Sequence, residues 1–324
     1  MIMKKLWYMI LGTIMLACNK EDALDSRIQL ENLYTISDDA SDTIKQQIYR
    51  IYTTYDVPVY FNDTIGQVFL KTDVNGNAVY KYENLDLAWT FDDYEQLNYY
   101  YHYVTEPQKQ SEALHFIEQY LKDASPELYP FCFFVTERID RKKRSEIKLT
   151  EVEDQFLIGF RTITLLLGRC TEEEPKSIAI KMLRSNVSQK INNYAEELAY
   201  FHAVSEEKCY NAYWTNLDPT LSEYWKAPEL DPDYINTNYT PEQLEEIRAQ
   251  QRPVVAHYGF VMAEKQDGGM SAPRNKEEDL QGYIKVIMNG SDETFRANWG
   301  NYPLVMKKYE ILYKIITEKL GVEL

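Results

Sequence analysis

The chain has 324 residues, with 35 Lys and Arg set against 51 Asp and Glu, a formal charge of −16 and a pI near 4.8. That length supports one large domain or two of ordinary size, and a composition of 44% apolar and 27% charged residues excludes wholesale disorder. The acidic balance excludes nucleic acid as a partner, because neutralising phosphates needs a basic face; twelve Gly and twelve Pro exclude collagen-like or low-complexity architectures. Tyr is over-used at 27 residues, and its ring with a polar tip suits wet recognition surfaces as well as cores.

At the start of the chain, Lys4 and Lys5 precede an apolar run from Leu6 to Ala17 that only Gly12 and Thr13 interrupt. Twelve helical residues rise about 18 Å, short of a hydrocarbon core of about 30 Å, so residues 1–17 read as a signal peptide and not a membrane span. Leu16-Ala17-Cys18 resembles a bacterial lipobox, which implies cleavage before Cys18 and acylation of that residue. Two or three acyl chains anchor stably where one does not, at about 0.8 kcal/mol per buried methylene. Asn19, Lys20, Glu21 and Asp22 resemble the surface-export signal of Bacteroidetes lipoproteins. The expected location is therefore the outer membrane, lipid-anchored and facing the exterior, with residues 18–40 as an acylated tether. Removing residues 1–17 takes away two lysines and no acid, which brings the charge to −18, so the lipid and not a basic patch must make the membrane contact. The other cysteines, Cys132, Cys170 and Cys209, are odd in number and far apart, and read as small buried apolar residues.

In the mature chain, Ile44, Ile48 and Ile51 fall at helical spacing after the cap candidate Ser41. Val57 to Phe61 alternates as a strand, and Asn75-Gly76 marks a hairpin turn between Val68-Phe69-Leu70 and Val79-Tyr80. Thr105-Glu106-Pro107 opens a helix with Leu114, Ile117 and Leu121 on its apolar face. Phe131 to Ile139 reads as a central strand, Asp140 to Ser145 as a charged turn, and Phe160 to Gly168 as a second buried strand. From Ile178 to Val204 the apolar positions Ile180, Leu183, Val187, Ile191, Tyr194 and Leu198 predict one continuous helix. Thr240-Pro241 caps another, Asn275 with Glu278 forms a capping box for a helix through Met288, and Tyr302 to Leu320 predicts the last. Strands in residues 41–170 and helices in residues 171–324 predict an α+β fold, a mixed sheet with several helices in a single domain over residues 41–324.

The order of these segments resembles the zinc-binding metallopeptidases encoded beside SusC/SusD-type import systems, the substrate-import-associated zinc metallohydrolase lipoproteins. Ser41-Asp42-Thr43-Ile44, Tyr55-Asp56-Val57-Pro58-Val59, Glu106-Pro107 to Leu121, Gly259-Phe260-Val261, Asn275 to Leu280 and the Lys-rich last helix carry the likeness. It implies a zincin-like, metallopeptidase-derived domain. The signature of the family is H-E-x-x-H, in which two His one helical turn apart ligate zinc and the Glu acts as general base. In register, the matching segment is Glu196-Glu197-Leu198-Ala199-Tyr200: Glu197 keeps the base position, while Glu196 and Tyr200 replace the histidines. The acidic E-D-x-x-E segment retains only Glu278 and Asp279.

Zinc lowers the pKa of bound water from about 15.7 to about 7. Losing that shift costs about 12 kcal/mol at 1.36 kcal/mol per unit, which Glu197 alone does not recover. The resemblance then implies a catalytically inactive relative with no metal or other cofactor. It would be an accessory or binding subunit of a SusC/SusD-type transporter complex, joined to the bilayer through Cys18 and open to a peptide or glycan ligand. Two alternatives stand beside it. One is an active metal-dependent peptidase with replacement ligands from Glu196, His202 or the Glu278-Asp279 pair, His202 and Glu206 being one turn apart and His257 lying before Gly259. The other is glycan or peptide capture on aromatic platforms, Tyr99 to Tyr103 or Tyr210, Tyr213, Trp214 and Trp225.

Overall fold

The computed structural model describes residues 34–324, apart from residues 86, 88–96, 144, 146, 171–174, 222–225, 235–236 and 267–268. Cys18, the signal segment and Trp225 lie outside the described residues. From Ile36 to Leu324 these residues belong to one unit, and nine helices and a mixed six-stranded sheet make it α+β.

Helix α1 (Thr43–Tyr55) starts one residue later than the sequence predicts: Asp42, not Ser41, is its cap, its carboxylate accepting from the N–H groups of Ile44 at 2.9 Å and Lys45 at 3.1 Å. Strand β1 is short (Val59–Tyr60), and β2 (Thr64–Thr72) and β3 (Ala78–Asn84) form the hairpin that Asn75-Gly76 signals, with Gly76 at φ +85° in the turn. After β4 (Leu97–Tyr103) comes α2 (Pro107–Asp123). Strand β5 runs from Cys132 to Lys143. The charged stretch from Asp140 is therefore strand and not turn, because β4 and β6 (Thr150–Glu151) pair with it there on either side.

Strands β7 (Phe156–Ile158) and β8 (Thr162–Leu166) complete the sheet in the order β1-β5-β8-β7. β1, β5 and β8 run parallel, and β7 returns antiparallel as the edge beside β8. Every residue of β8 is buried, as expected of a central strand covered on both faces. Phe133, Val135, Ile163 and Leu165 join the main core with α2 and helix α3 (Pro175–Ile191). The amide of Asn186, 3% exposed, donates to Tyr120 Oη at 2.7 Å and to the carbonyl of Leu128 at 2.6 Å, locking α3 to α2.

The single helix expected from Ile178 to Val204 is two. α3 ends at Ile191 and α4 spans Ala195–His202, with a turn between them closed by the N–H of Asn193 on the Lys190 carbonyl and that of Tyr194 on the Ile191 carbonyl. The adjacent Asn192 and Asn193 are poor helix formers whose side chains compete with the backbone. Then follow α5 (Trp214–Leu217), α6 (Pro241–Ala256) behind the Thr240-Gln243 capping box, the β9 (Glu264–Gln266) and β10 (Gly269–Ser271) hairpin, α7 (Lys276–Met288), α8 (Asp292–Trp299) and α9 (Pro303–Lys314), which continues as one π-helical turn over Ile315–Lys319. Among the described residues no helix is long and apolar enough to cross a membrane.

Candidate functional site

The polar residues of α3 set up the candidate site. Ile178, Ala179, Met182, Leu183, Val187 and Ile191 take its buried face. Lys181, Arg184, Ser185, Ser188 and Gln189 recur at spacings of three and four, so they form a second stripe, about 12 Å long at 1.5 Å per residue, with Asn192 just past the helix end. That stripe lines a cleft of about 750 Å³, with β7 as the opposite wall and Gln281, Ile284 and Lys285 of α7 beside it.

Charge fixes the cleft's outer side. Arg184 donates to both carboxylate oxygens of Asp233, each at 3.1 Å, and Lys285 reaches Asp231 at 2.9 Å and Asp233 at 3.3 Å. Burial by itself raises the Asp233 pKa, but the paired Arg184 and Lys285 outweigh it and hold the carboxyl below its ordinary value. Inside, the Gln281 amide donates to Ser188 Oγ and, at 2.7 Å, to Glu277.

The β7 wall presents backbone. The Leu166 N–H donates to the Gln155 carbonyl and the Gly159 N–H to that of Thr162, each at 2.8 Å. The alternation of an antiparallel ladder therefore assigns residues 155, 157 and 159 to β8 and turns the N–H and C=O groups of Phe156 and Ile158 the other way, toward the cleft. A strand edge beside a row of hydroxyl and amide side chains can receive another extended chain.

The structure does not gather the positions that the family register selects. Glu196 and Tyr200 are exposed on α4, Tyr200 by 70%, and Glu197 is half-buried there. Glu278 serves the start of α7: its N–H bonds the Asn275 side chain, and its carboxylate accepts from the N–H of Arg274 at 2.9 Å. Asp279, 1% exposed, accepts from the ammonium of Lys308 at 2.5 Å and from the Tyr210 hydroxyl at 3.0 Å. Lys308 is itself fully buried, donates to Ser205 at 2.7 Å, and lies 4.8–5.4 Å from the ring centres of Phe201, Phe260 and Tyr283. Burial pushes the Asp279 pKa up and the Lys308 pKa down, each opposed by its partner.

The replacement ligands fare no better. His202 ends α4, whereas Glu206 lies beyond the helix and pairs with Lys208, so the i, i+4 relation expected of them is broken. His257 is exposed at the end of α6. Among the described residues no group of three or more His, Cys, Asp or Glu is placed to hold a metal ion. The zinc implied by the resemblance does not fit these residues: the cleft offers amides and hydroxyls in place of imidazoles, and Asp279 already carries an ammonium. The Tyr210-Trp214 platform is also corrected, since Trp214 is fully buried and Tyr210 half-buried; of the other platform Tyr100 and Tyr103 are exposed while Tyr99 and Tyr101 pack toward Ile139. Cys132, Cys170 and Cys209 are buried, as read from the sequence.

Sequence reasoning missed the α3 stripe, whose signal is a second, polar periodicity; it also missed β7, which is three residues long, and Asp233 stands 49 residues from the Arg184 it pairs. No family model, curated protein or solved structure matches the chain.

Proposed function

We propose that the chain is a surface lipoprotein on a zincin-like, metallopeptidase-derived scaffold that captures extended polypeptide without hydrolysing it. The observation that carries this reading is the pairing of an open strand edge, Phe156 to Ile158, with the polar stripe of α3 across a cleft. Four residues of bound strand span about 13 Å, close to the stripe's length. Main-chain bonds to β7 supply affinity, and alternate side chains of the guest meet Ser185, Ser188, Gln189 and Gln281.

The rest of the reading is supported by sequence. The lipobox-like Leu16-Ala17-Cys18 and the acidic stretch after it support acylation at Cys18 and an outer-membrane location facing the exterior. The order of family-like segments supports an accessory or binding role beside a SusC/SusD-type import system. The donor set argues against hydrolysis, because neither the cleft nor the Glu196–Tyr200 segment supplies the ligands that would activate water.

The test uses the backbone. Ile158→Pro removes an N–H directed at the cleft and leaves the ladder bonds of residues 155, 157 and 159 in place. Immobilised protein should retain peptides from a random extended library, and Ile158→Pro should lose them, while Ile158→Ala, which gives up the same core packing but keeps the N–H, should retain them. Equal retention by Ile158→Pro would refute strand addition.

A further inference from the structure

The hairpin of β2 and β3 pairs with no other strand among the described residues, and no residue of either strand is buried. Its register gives its two faces different chemistry. Phe69 opposes Tyr80 and Gln67 opposes Tyr82, so these four share one face, uncharged and mostly aromatic. Val68 opposes Lys81 and Gly66 opposes Glu83, so the other face is charged. Phe69 is 54%, Tyr80 40% and Tyr82 58% exposed, and the rings of Phe69 and Tyr80 meet edge-on at 5.9 Å. At its base the Leu85 N–H closes the hairpin on the Asp63 carbonyl at 2.7 Å, and Tyr103 Oη of β4 donates to the Asp63 carboxylate at 2.6 Å, tying the ribbon to the sheet. A two-stranded ribbon is marginal in water alone, and an exposed aromatic face of this kind marks an interaction surface.

We propose that this face rests on the bilayer interface to which acylated Cys18 ties the chain. The inference rests on the anchor read from the sequence. Length selects the occupant: 17 residues lie between Cys18 and Ile36, where the folded unit begins, and the steps joining them, at 3.3–3.6 Å each, reach at most about 65 Å. A unit of this size is about 50 Å across, so the bilayer is always within about one diameter, at an effective concentration that a freely diffusing partner does not match. Chemistry agrees, because amphipathic Tyr rings favour the headgroup level, and in a chain of charge −18 an uncharged face brings no like charge into contact with the lipid surface.

The experiment takes the full acylated chain in phosphatidylcholine vesicles and compares Tyr82→Trp with Tyr200→Trp, a control on exposed α4, using lipids brominated on their acyl chains. The added indole at position 82 should be quenched several-fold more than that at position 200. Equal quenching in protein that floats with the vesicles overturns the bilayer contact alone. Protein that fails to float overturns the anchor, and this proposal with it. Shielding of position 82 that follows protein density and not lipid would assign the face to a second copy and likewise overturn the proposal.

Discussion

Lys308 and Asp279 show how much of this molecule is decided at single residues. The sequence placed Asp279 in a degraded metal site and Lys308 in the Lys-rich last helix; together they are a buried ion pair inside an aromatic cage. Removing one partner leaves a charge in the core, so Lys308→Met should cost about 3–5 kcal/mol in chemical denaturation, whereas Lys308→Met with Asp279→Leu should recover most of it. A single variant as stable as the native chain would mean that the pair is not buried as described. His202 is the second case. Burial first, then Lys276 and Lys308, lower its pKa below the ordinary 6.5, and its Nδ1 is buried without a hydrogen-bond partner. Below pH 6.5 the unfolded chain takes up a proton that the folded chain resists, so this contribution to stability is present above that pH and is lost as pH falls toward the folded value. His202→Gln should flatten the dependence of the denaturation midpoint just below pH 6.5; an unchanged slope would assign it elsewhere.

Elements were legible in proportion to how locally they are determined. The Thr240-Pro241 cap, the Asn75-Gly76 turn and the apolar face of α2 depend on neighbours in sequence, and the structure has each of them. Of the Asn275-Glu278 box only the Asn275 half forms, the Glu278 carboxylate taking the N–H of Arg274. Periodicity alone misjudged α3 and α4, because Tyr194 and Leu198 continue the apolar spacing through a turn that Asn192 and Asn193 impose. The same misjudgement joined His202 to Glu206. The end of β5 was lost for a different reason: Arg141, Lys142 and Lys143 read as a turn by charge, but pairing with β4, far off in sequence, keeps them extended. Caps give an element-level check. Asp42→Ala should destabilise the chain by about 1 kcal/mol, while Ser41→Ala, one residue outside the cap, should stay within about 0.5 kcal/mol. Thermal unfolding that ranks them the other way would move the start of α1.

At the scale of the whole molecule, the cleft depends on contacts that no window of sequence contains. Asp233 closes the outer side only because Arg184 and Lys285 arrive from different helices, and β7 becomes a usable edge only because β8 is central. Peptide capture without cleavage is the claim on which the functional reading turns. Its direct measurement is mass spectrometry of a peptide library incubated with metal-supplemented protein, alongside metal analysis of the same sample. The account predicts intact peptides, enriched on the native chain and not on Ile158→Pro, and no stoichiometric zinc. Cleaved products that a chelator suppresses, with one zinc bound per chain, would contradict it.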